Sequence, residues 1–589
     1  MERIKKTIKN VRVYLPEILI LLCCAIFLSL AISEKKGYHQ DELLSFELSN
    51  AEFNPWIVPT QPQGRLAKYV EREIRSDSFA GTVGNLWNTV MDVLKNRGSS
   101  KLLSYQADVY PEPVWIDRET FTEYVTVNGK DDFNYLSVYF NVKDDNHPPL
   151  HFMLLHTVSS LFRERINPAM GCAINLFFVL GTMILLMRIG RLCMKLIGCE
   201  GQGRIVGAGA AALYGTSAGA TSTTLLIRMY AMLTFFCVWL LCIHLEKLFH
   251  EKLILDKPSN GFEKHNKGLI AITILGFWTQ YFFLFYCFAL ALVTGVLLLR
   301  SKRVKEFKRY VISMITAAVI GLICFPFAVS DVFSSGRGVE AIENLGSGFG
   351  EFAYRIKSFL EILGAEGGML CISALVLINF CWGILKFRKV KQERGFWAVL
   401  LIPVACYFLL ASKLSPFLVD RYVMPIFPLM LLLLTFGACG CLTLLLREKT
   451  KKVNLILAIM LGCLIMSQPF MPGHDDNEYL YPEYESQERI ARENADLPCI
   501  CVYEGVRYYE NLPEFMHYKK TLLVTMEELK GRTDGKSIEE LNRVAVLLKD
   551  KEWTDDVNEV MKQYGFTPES TAFYSTKENG GDAVLIYSK

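Results

Sequence analysis

Long apolar runs bounded by short basic loops constrain this chain more than any other feature of its sequence. The first run extends from Leu15 to Ile32 and follows a lysine- and arginine-rich segment. Further basic loops lie around residues 188–204, 247–267, 300–309, 386–394 and 447–452. Runs of about 20 apolar residues span a bilayer, and loops rich in Lys and Arg stay on the cytoplasmic side. With 51% of its 589 residues hydrophobic, the sequence predicts a polytopic α-helical membrane protein.

The basic loops also predict the path of the chain, because all of them are expected inside. The run at residues 268–299 then folds as a hairpin that turns near Trp278–Tyr281 at the outer face. The segment Pro148–Phe162 reaches only roughly 22 Å as a helix, too short for a hydrocarbon core of roughly 30 Å. We expect it to lie at the outer interface. The result is about eleven crossings, with the N-terminus cytoplasmic and the C-terminus outside.

Two sizeable polar regions fall outside the cell in this scheme. One is residues 33–147, named here the first long loop, within a transmembrane domain at residues 1–470. The other is the tail, residues 471–589, which we expect to be an extracytoplasmic α/β domain. It alternates short β-rich runs with helix-like stretches. The runs are Cys499–Tyr503, Leu522–Thr525, Val544–Leu548 and Ala583–Tyr587.

Ionisable residues at membrane boundaries are costly to place, so their positions are informative. Asp41 and Glu42 follow the first crossing directly. A carboxylate at this boundary can accept a proton from an acceptor hydroxyl. The alternative is that both residues cap a helix beginning at Leu43, which is a common arrangement.

Asp145 and His147 precede the prolines that open the short helix after the first long loop. A polar residue before Pro148 and Pro149 is a good helix start. A helix start accounts fully for the two prolines, but less well for the presence of Asp145 and His147. His151 to His156 is a five-residue step that does not share a helix face, so the sequence does not support a metal site.

Two Arg-Tyr pairs lie at outer helix ends: Arg228 with Tyr230, and Arg421 with Tyr422. The forked guanidinium of arginine matches phosphate oxygens. The alternative is that each pair anchors a helix end at the interface, which is equally common. Two such pairs make a shared phosphate site more plausible than either pair alone.

These motifs together resemble the GT-C membrane glycosyltransferases, in particular bacterial enzymes similar to protein O-mannosyltransferases and aminoarabinose transferases. The resemblance covers roughly residues 15–470. It rests on the His-Gln-Asp-Glu, Asp-Asn-His-Pro-Pro-Leu-His, Arg-Met-Tyr and Arg-Tyr motifs, which begin at His39, Asp145, Arg228 and Arg421. It implies that Asp41 is the general base, and that the Arg228–Tyr230 and Arg421–Tyr422 pairs lie near the lipid phosphate. Thr279-Gln280-Tyr281 departs from the Thr-His-Tyr found in many relatives.

The predicted function is therefore transfer of a sugar from a polyprenyl-phosphate donor to an extracytoplasmic acceptor, with inversion at the anomeric carbon. Glu42, His147 and Asp145 are further candidates for catalysis or positioning. The partners are the lipid-linked sugar, the bilayer and the acceptor, with no nucleic acid. No cofactor is implied, and the sequence does not support a divalent metal. The alternatives are a transporter or flippase of a lipid-linked or small polar substrate, and a non-enzymatic scaffold.

Overall fold

The structure is a computed structural model. It describes residues 2–54, 57–106, 109–196, 199–253, 261–333, 336–346, 348–367, 394–446, 449–468, 477–531, 535–577 and 580–589. Contacts divide the chain into two compact units. The membrane unit comprises Met1–Glu34, Asp144–His151 and Gly171–Tyr479. The loop–tail unit comprises Lys35–Lys143, Phe152–Met170 and Leu480–Lys589. The sequence analysis treats the tail as a domain by itself, whereas contacts group it with the first long loop.

The membrane unit is built from apolar helices, which confirms the predicted fold class. Its helices are Glu2–Glu34, Pro168–Leu196, Gly203–Gly215, Ala218–Leu225, Tyr230–Leu253, Gly261–Phe277, Phe283–Arg300, Val304–Cys324, Ala328–Phe333, Gly336–Leu345, Phe349–Gly367, Arg394–Leu414, Phe427–Leu445 and Thr450–Ser467. Within the described residues, eight helices are long and apolar enough to cross a membrane. They are Tyr14–Glu34, Pro168–Leu196, Tyr230–Lys247, Phe283–Arg300, Val304–Cys324, Gly395–Leu414, Met424–Leu445 and Thr450–Ser467.

The predicted count of eleven crossings is not confirmed by these eight helices. The run that begins near Val206 forms two helices, because Ser217 accepts a hydrogen bond from the Ala220 amide at 3.2 Å and starts a new helix. The first arm of the predicted hairpin forms only a short apolar helix, Asn266–Phe277. A further predicted crossing, between the loops at residues 300–309 and 386–394, falls largely at residues 368–393, outside the described part of the chain.

Small residues let two helices of the membrane unit approach closely. A Cβ added to Gly190 would lie 2.4 Å from the Cα of Gly207, so the Pro168–Leu196 and Gly203–Gly215 helices meet backbone to backbone there. Such contacts favour helix association where no hydrophobic effect operates between helices. The predicted turn after residue 277 is present, since Phe283–Arg300 begins five residues beyond Trp278.

The short helix before the Pro168 crossing spans Leu150–Leu161, 12 residues, and it is not among the helices that could cross a membrane. This agrees with the expectation that the segment Pro148–Phe162 does not cross. The helix begins two residues later than predicted, because Pro148 and Pro149 stand before its first turn. Its position at the interface stays a prediction.

The loop–tail unit contains one six-stranded sheet. Its strands are β1 (Trp115–Asp117), β2 (Cys499–Val502), β3 (Lys520–Val524), β4 (Arg543–Leu548), β5 (Thr567–Tyr574) and β6 (Ala583–Ser588). The order across the sheet is β1-β3-β2-β4-β6-β5, with β2 parallel to β3 and β4, and the other pairs antiparallel. The four predicted strands are all present. Strand β2 is buried along its whole length, and β3 and β4 are buried except at their first residues, as expected for parallel strands covered on both faces.

Helices lie in both of the long segments of the loop–tail unit, Lys35–Lys143 and Leu480–Lys589. They are Gln40–Asn50, Arg65–Tyr69, Phe79–Asn96, Lys101–Ser104, Arg118–Val125, Tyr135–Asn141, Glu483–Glu493, Leu512–Phe515, Met526–Lys530, Gly535–Glu539 and Thr554–Gln563. The first long loop also contributes β1, which pairs with β3 of the tail from Trp115 opposite Leu522 to Asp117 opposite Lys520. The sequence analysis missed this strand, because three residues carry too little periodicity to be recognised.

Candidate functional site

Asp145, His147 and Arg228 form a buried cluster in the membrane unit. The Asp145 carboxylate lies 2.9 Å from Nδ1 of His147, and since an ionised carboxylate only accepts, Nδ1 is the donor. A guanidinium nitrogen of Arg228 lies 3.4 Å from Nδ1 and 3.5 Å from Nε2; since Nδ1 donates to Asp145, Nε2 is the nitrogen that can accept from Arg228. Asp145 is 7% exposed and Arg228 is 3% exposed. Three of the residues that the sequence singled out are therefore in mutual contact.

Charges inside this cluster determine its protonation. Burial alone would raise the pKa of the Asp145 carboxyl, but His147 and Arg228 outweigh that effect and hold the pKa below its usual value. The neighbouring His151, in contrast, is held in its uncharged form. Burial, Arg228 and His147 together lower its pKa to about 3, so its imidazole is neutral. The cluster thus keeps one carboxylate ionised and one histidine uncharged beside a fixed guanidinium.

Arg228 is positioned by a break between two helices. The Ala218–Leu225 helix ends there, and the Tyr230–Leu253 helix begins two residues after Arg228. The side-chain amide of Asn175 donates to the Leu226 carbonyl at 2.5 Å and to the Thr224 carbonyl at 3.3 Å, which satisfies carbonyls that the helix end leaves open. Arg228 therefore stands two residues before the N-terminus of a 24-residue helix, where the backbone dipole favours an anion.

The second Arg-Tyr pair lies close to the first. The rings of Tyr230 and Tyr422 meet edge to face with centroids 6.2 Å apart, and Phe282 packs on Tyr422 at 5.2 Å. Arg421 is half-buried, and its guanidinium lies 5.7 Å from the centroid of the Tyr422 ring. The membrane unit thus brings the two pairs together through their tyrosines.

Asp420 fixes the segment that carries Arg421. Its carboxylate accepts from the Arg421 amide at 2.7 Å and from the Tyr479 hydroxyl at 2.6 Å. Burial raises the pKa of Asp420, while the Tyr479 hydrogen bond opposes that rise. This carboxyl therefore orders the short helical turn Asp420–Tyr422, and the guanidinium next to it projects from a defined backbone.

Tyr281 and Asp331 form a further polar contact in the membrane unit. The Tyr281 hydroxyl donates to the Asp331 carboxylate at 2.5 Å. Burial, this hydrogen bond and the negative charges of Asp331 and Asp145 raise the pKa of Tyr281. The amide of Leu150 donates to the Trp278 carbonyl at 3.1 Å and ties the same turn to the start of the short helix. The sequence analysis named Tyr281 but missed Asp331. The signal available was an acidic residue shortly after an apolar run.

Asp41 and Glu42 lie in the loop–tail unit and differ in their surroundings. Glu42 is buried, accepts from the His39 amide at 2.8 Å and is ion-paired with Lys35 at 3.0 Å. His39 in turn accepts from the Asp41 amide, which makes a capping box on the Gln40–Asn50 helix. The predicted helix start at Leu43 is therefore wrong by three residues, because His39 supplies the cap. The Asp41 side chain remains 27% exposed.

Among the described residues, no group of three His, Cys, Asp or Glu side chains is arranged to hold a metal ion. Within the membrane unit, the candidate site is therefore a set of guanidinium, imidazole and phenol donors with one ionised carboxylate. Such a set suits an anionic group, since its donors outnumber its acceptors.

Comparisons with known proteins give structural matches only. No protein-family model and no curated protein matches the chain. It is similar to ArnT from Cupriavidus metallidurans bound to undecaprenyl phosphate, with a TM-score of 0.46 and 12% identity over 80% of this chain and 92% of that chain. The same ArnT in the apo state gives 0.44 and 11% over 77% and 93%.

An oligosaccharyltransferase from Archaeoglobus fulgidus, tethered to an acceptor peptide, matches with a TM-score of 0.41 and 11% identity, over 92% of this chain and 70% of that chain. ArnT and the oligosaccharyltransferase are GT-C glycosyltransferases, the class that the sequence motifs resemble. Because all three TM-scores are below 0.5, these similarities say nothing about the donor, the acceptor or the residues that act on them.

Proposed function

We propose that this chain is an integral membrane glycosyltransferase that moves a sugar from a polyprenyl-phosphate donor to an acceptor outside the cytoplasm. The observation that carries the proposal is the buried Arg228 guanidinium, 3% exposed, held against a His147–Asp145 pair at the start of a long helix. Its charge already acts on the Asp145 carboxylate, and its forked donor geometry also matches the oxygens of a phosphate, the anionic group that a lipid-linked donor carries.

The proposed donor site uses the two Arg-Tyr pairs. Arg228 and Arg421 neutralise the phosphate as it departs, and Tyr230 and Tyr422 add hydroxyl donors beside them. The support is that the two tyrosine rings are in contact, so both pairs belong to one part of the membrane unit. His147, oriented by Asp145, is a positioning residue for Arg228.

Asp41 is the proposed general base. Its carboxylate takes the proton of the acceptor hydroxyl, and the acceptor oxygen attacks the anomeric carbon of the sugar. The bond between that carbon and the phosphate oxygen breaks, and polyprenyl phosphate leaves. A single displacement of this kind inverts the anomeric centre. Asp41 is preferred over Glu42, because Glu42 is buried in its capping box and ion pair while Asp41 is partly exposed.

The test is a transfer assay with the full chain in lipid nanodiscs. A panel of radiolabelled polyprenyl-monophosphate sugars is incubated with envelope extract, and acceptor-dependent release of polyprenyl phosphate is measured. We expect Asp41→Asn to lower the rate by roughly 100- to 10,000-fold with donor binding retained, as for loss of a general base.

The control is Gln40→Glu, which adds a carboxylate next to Asp41 without removing it and should leave transfer near the native rate. Retained transfer by Asp41→Asn would exclude Asp41 as the base. Movement of the intact lipid-linked sugar across the bilayer without any glycoside product would instead indicate a transporter or flippase.

A further inference from the structure

The Phe79–Asn96 helix of the first long loop exposes an apolar stripe along its length. Phe79 is 86% exposed, Trp87 64% and Leu94 68%. Val83 and Met91 lie between them on the same side, at 48% and 47%. Single exposed apolar residues are ordinary, but five at helical spacing on one face are typical of a helix that lies against lipid.

The adjacent face of this helix lines an apolar cavity of about 450 Å³. Its wall includes Leu66, Leu86, Val93, Leu102, Leu136 and Phe140. Val90 and Leu94 line the cavity and are also exposed, so the cavity is continuous with the apolar stripe. A chamber of this size and lining accommodates a hydrocarbon chain, and its opening lies beside the apolar stripe.

A second, polar cavity of about 220 Å³ adjoins the apolar one. The two share Glu52, Phe53, Val70 and Arg75 as lining residues. Glu52 and Arg75 form an ion pair at this junction. Phe53 also lies there with a φ of 51°, a left-handed conformation that its amide hydrogen bond to Ser137 Oγ, 2.7 Å long, helps to hold.

The polar cavity carries an excess of negative charge. Four carboxylates line it, against the cations Arg75 and Lys130. The carboxylates are Glu52, Glu71, Glu123 and Asp131. Burial and the nearby Glu52 raise the pKa of Asp131, and burial together with neighbouring carboxylates raises the pKa of Glu123. An additional anion would be repelled here, whereas hydroxyl or ammonium groups would satisfy these acceptors.

We infer that these adjoining cavities open into one another and bind a membrane lipid, with its chain in the apolar chamber and a hydroxyl- or ammonium-bearing head group in the acidic chamber. The occupant is distinct from a polyprenyl phosphate, because the acidic lining excludes a phosphate head. The polar chamber begins at Ala51, where the Gln40–Asn50 helix ends. Asp41 lies at the opposite end, roughly 15 Å away by helical rise, so this is a separate binding site. The inference goes beyond the proposed function and does not depend on it.

The experiment uses the full chain in phosphatidylcholine nanodiscs and three photoreactive probes with the same diazirine-bearing alkyl chain. The head groups are glucoside, primary amine and phosphate. We expect the glucoside and amine probes to label peptides that contain Leu86, Val93 and Leu136, at least severalfold more than the phosphate probe does. Filling the chamber with Leu86→Trp should reduce this labelling severalfold, and Val83→Trp, on the outward stripe, should not.

Leu136→Trp fills the same chamber from another element and keeps the test valid if Leu86→Trp does not fold. Equal labelling by the phosphate probe would overturn the head-group assignment. Labelling confined to Phe79 and Trp87 would show surface adsorption alone and overturn the cavity assignment. Asp41→Asn should label like the native chain, so loss of transfer and loss of lipid binding are distinguished.

Discussion

Glu42 and Asp41 are adjacent, yet the structure predicts opposite consequences for removing their charges. Lys35 and Glu42 form an ion pair of 3.0 Å with both side chains fully buried. Glu42→Gln keeps the side-chain oxygen that caps the His39 amide but leaves the Lys35 ammonium without its carboxylate. Breaking a buried pair on one side typically costs about 3–5 kcal/mol. Lys35 also lies 5.0 Å from the centroid of the Tyr481 ring, and that cation–π contact persists. We therefore expect Glu42→Gln to lower the free energy of unfolding by about 3 kcal/mol.

For a folding unit of roughly 240 residues, such a loss lowers Tm by about 6–12 °C. The assay is thermal unfolding of the full chain in nanodiscs, followed by intrinsic fluorescence. Asp41→Asn is the matched control and should unfold within about 1–2 °C of the native chain, since its side chain is partly exposed. The double variant Lys35→Met with Glu42→Gln should recover most of the loss, because it also removes the buried ammonium while the Gln oxygen still caps the His39 amide. An unchanged Tm for Glu42→Gln would refute the reasoning.

Three further predictions follow from other parts of the molecule. Arg228→Lys keeps the positive charge but loses the forked guanidinium, so it should both weaken donor binding and slow transfer. If the transfer rate falls while donor titration gives an unchanged affinity, Arg228 does not contact the phosphate. Glu514 is buried and its pKa is raised to about 8, so its ionisation destabilises the fold as pH rises from its unfolded pKa toward 8. Glu514→Gln should therefore raise Tm at pH 7.5 more than at pH 4.5, and an equal change at both values would contradict this. A reporter enzyme after Lys589 should be active only outside the cell and one at Lys302 only inside, and reversal of either would break the predicted topology.

The sequence predicted elements whose residues carry a strong local pattern, and missed those formed through distant contacts. Strands β2, β3, β4 and β6 were predictable because their apolar runs are buried. Strand β5 was missed because seven of its eight residues are exposed, so it shows no apolar alternation. The break at Ser217 was hidden within a run of small and apolar residues. The contact of His147 with Arg228 joins positions 81 apart in the sequence, and local reasoning names both residues without placing them together.

Strand β1 gives the loop–tail unit a particular order of assembly. Trp115 pairs with Leu522, so roughly 400 residues of chain are synthesised between the two partners, a very long-range contact. Strand β1 has no partner until the tail has been synthesised. Until β1 pairs with it, β3 has an open edge that can pair with other chains. The first long loop therefore stays incompletely folded, with β1 unpaired, during synthesis of the intervening helices. Chains truncated before the tail should have an incompletely folded loop and be removed by proteolysis rather than persist as a shorter membrane protein.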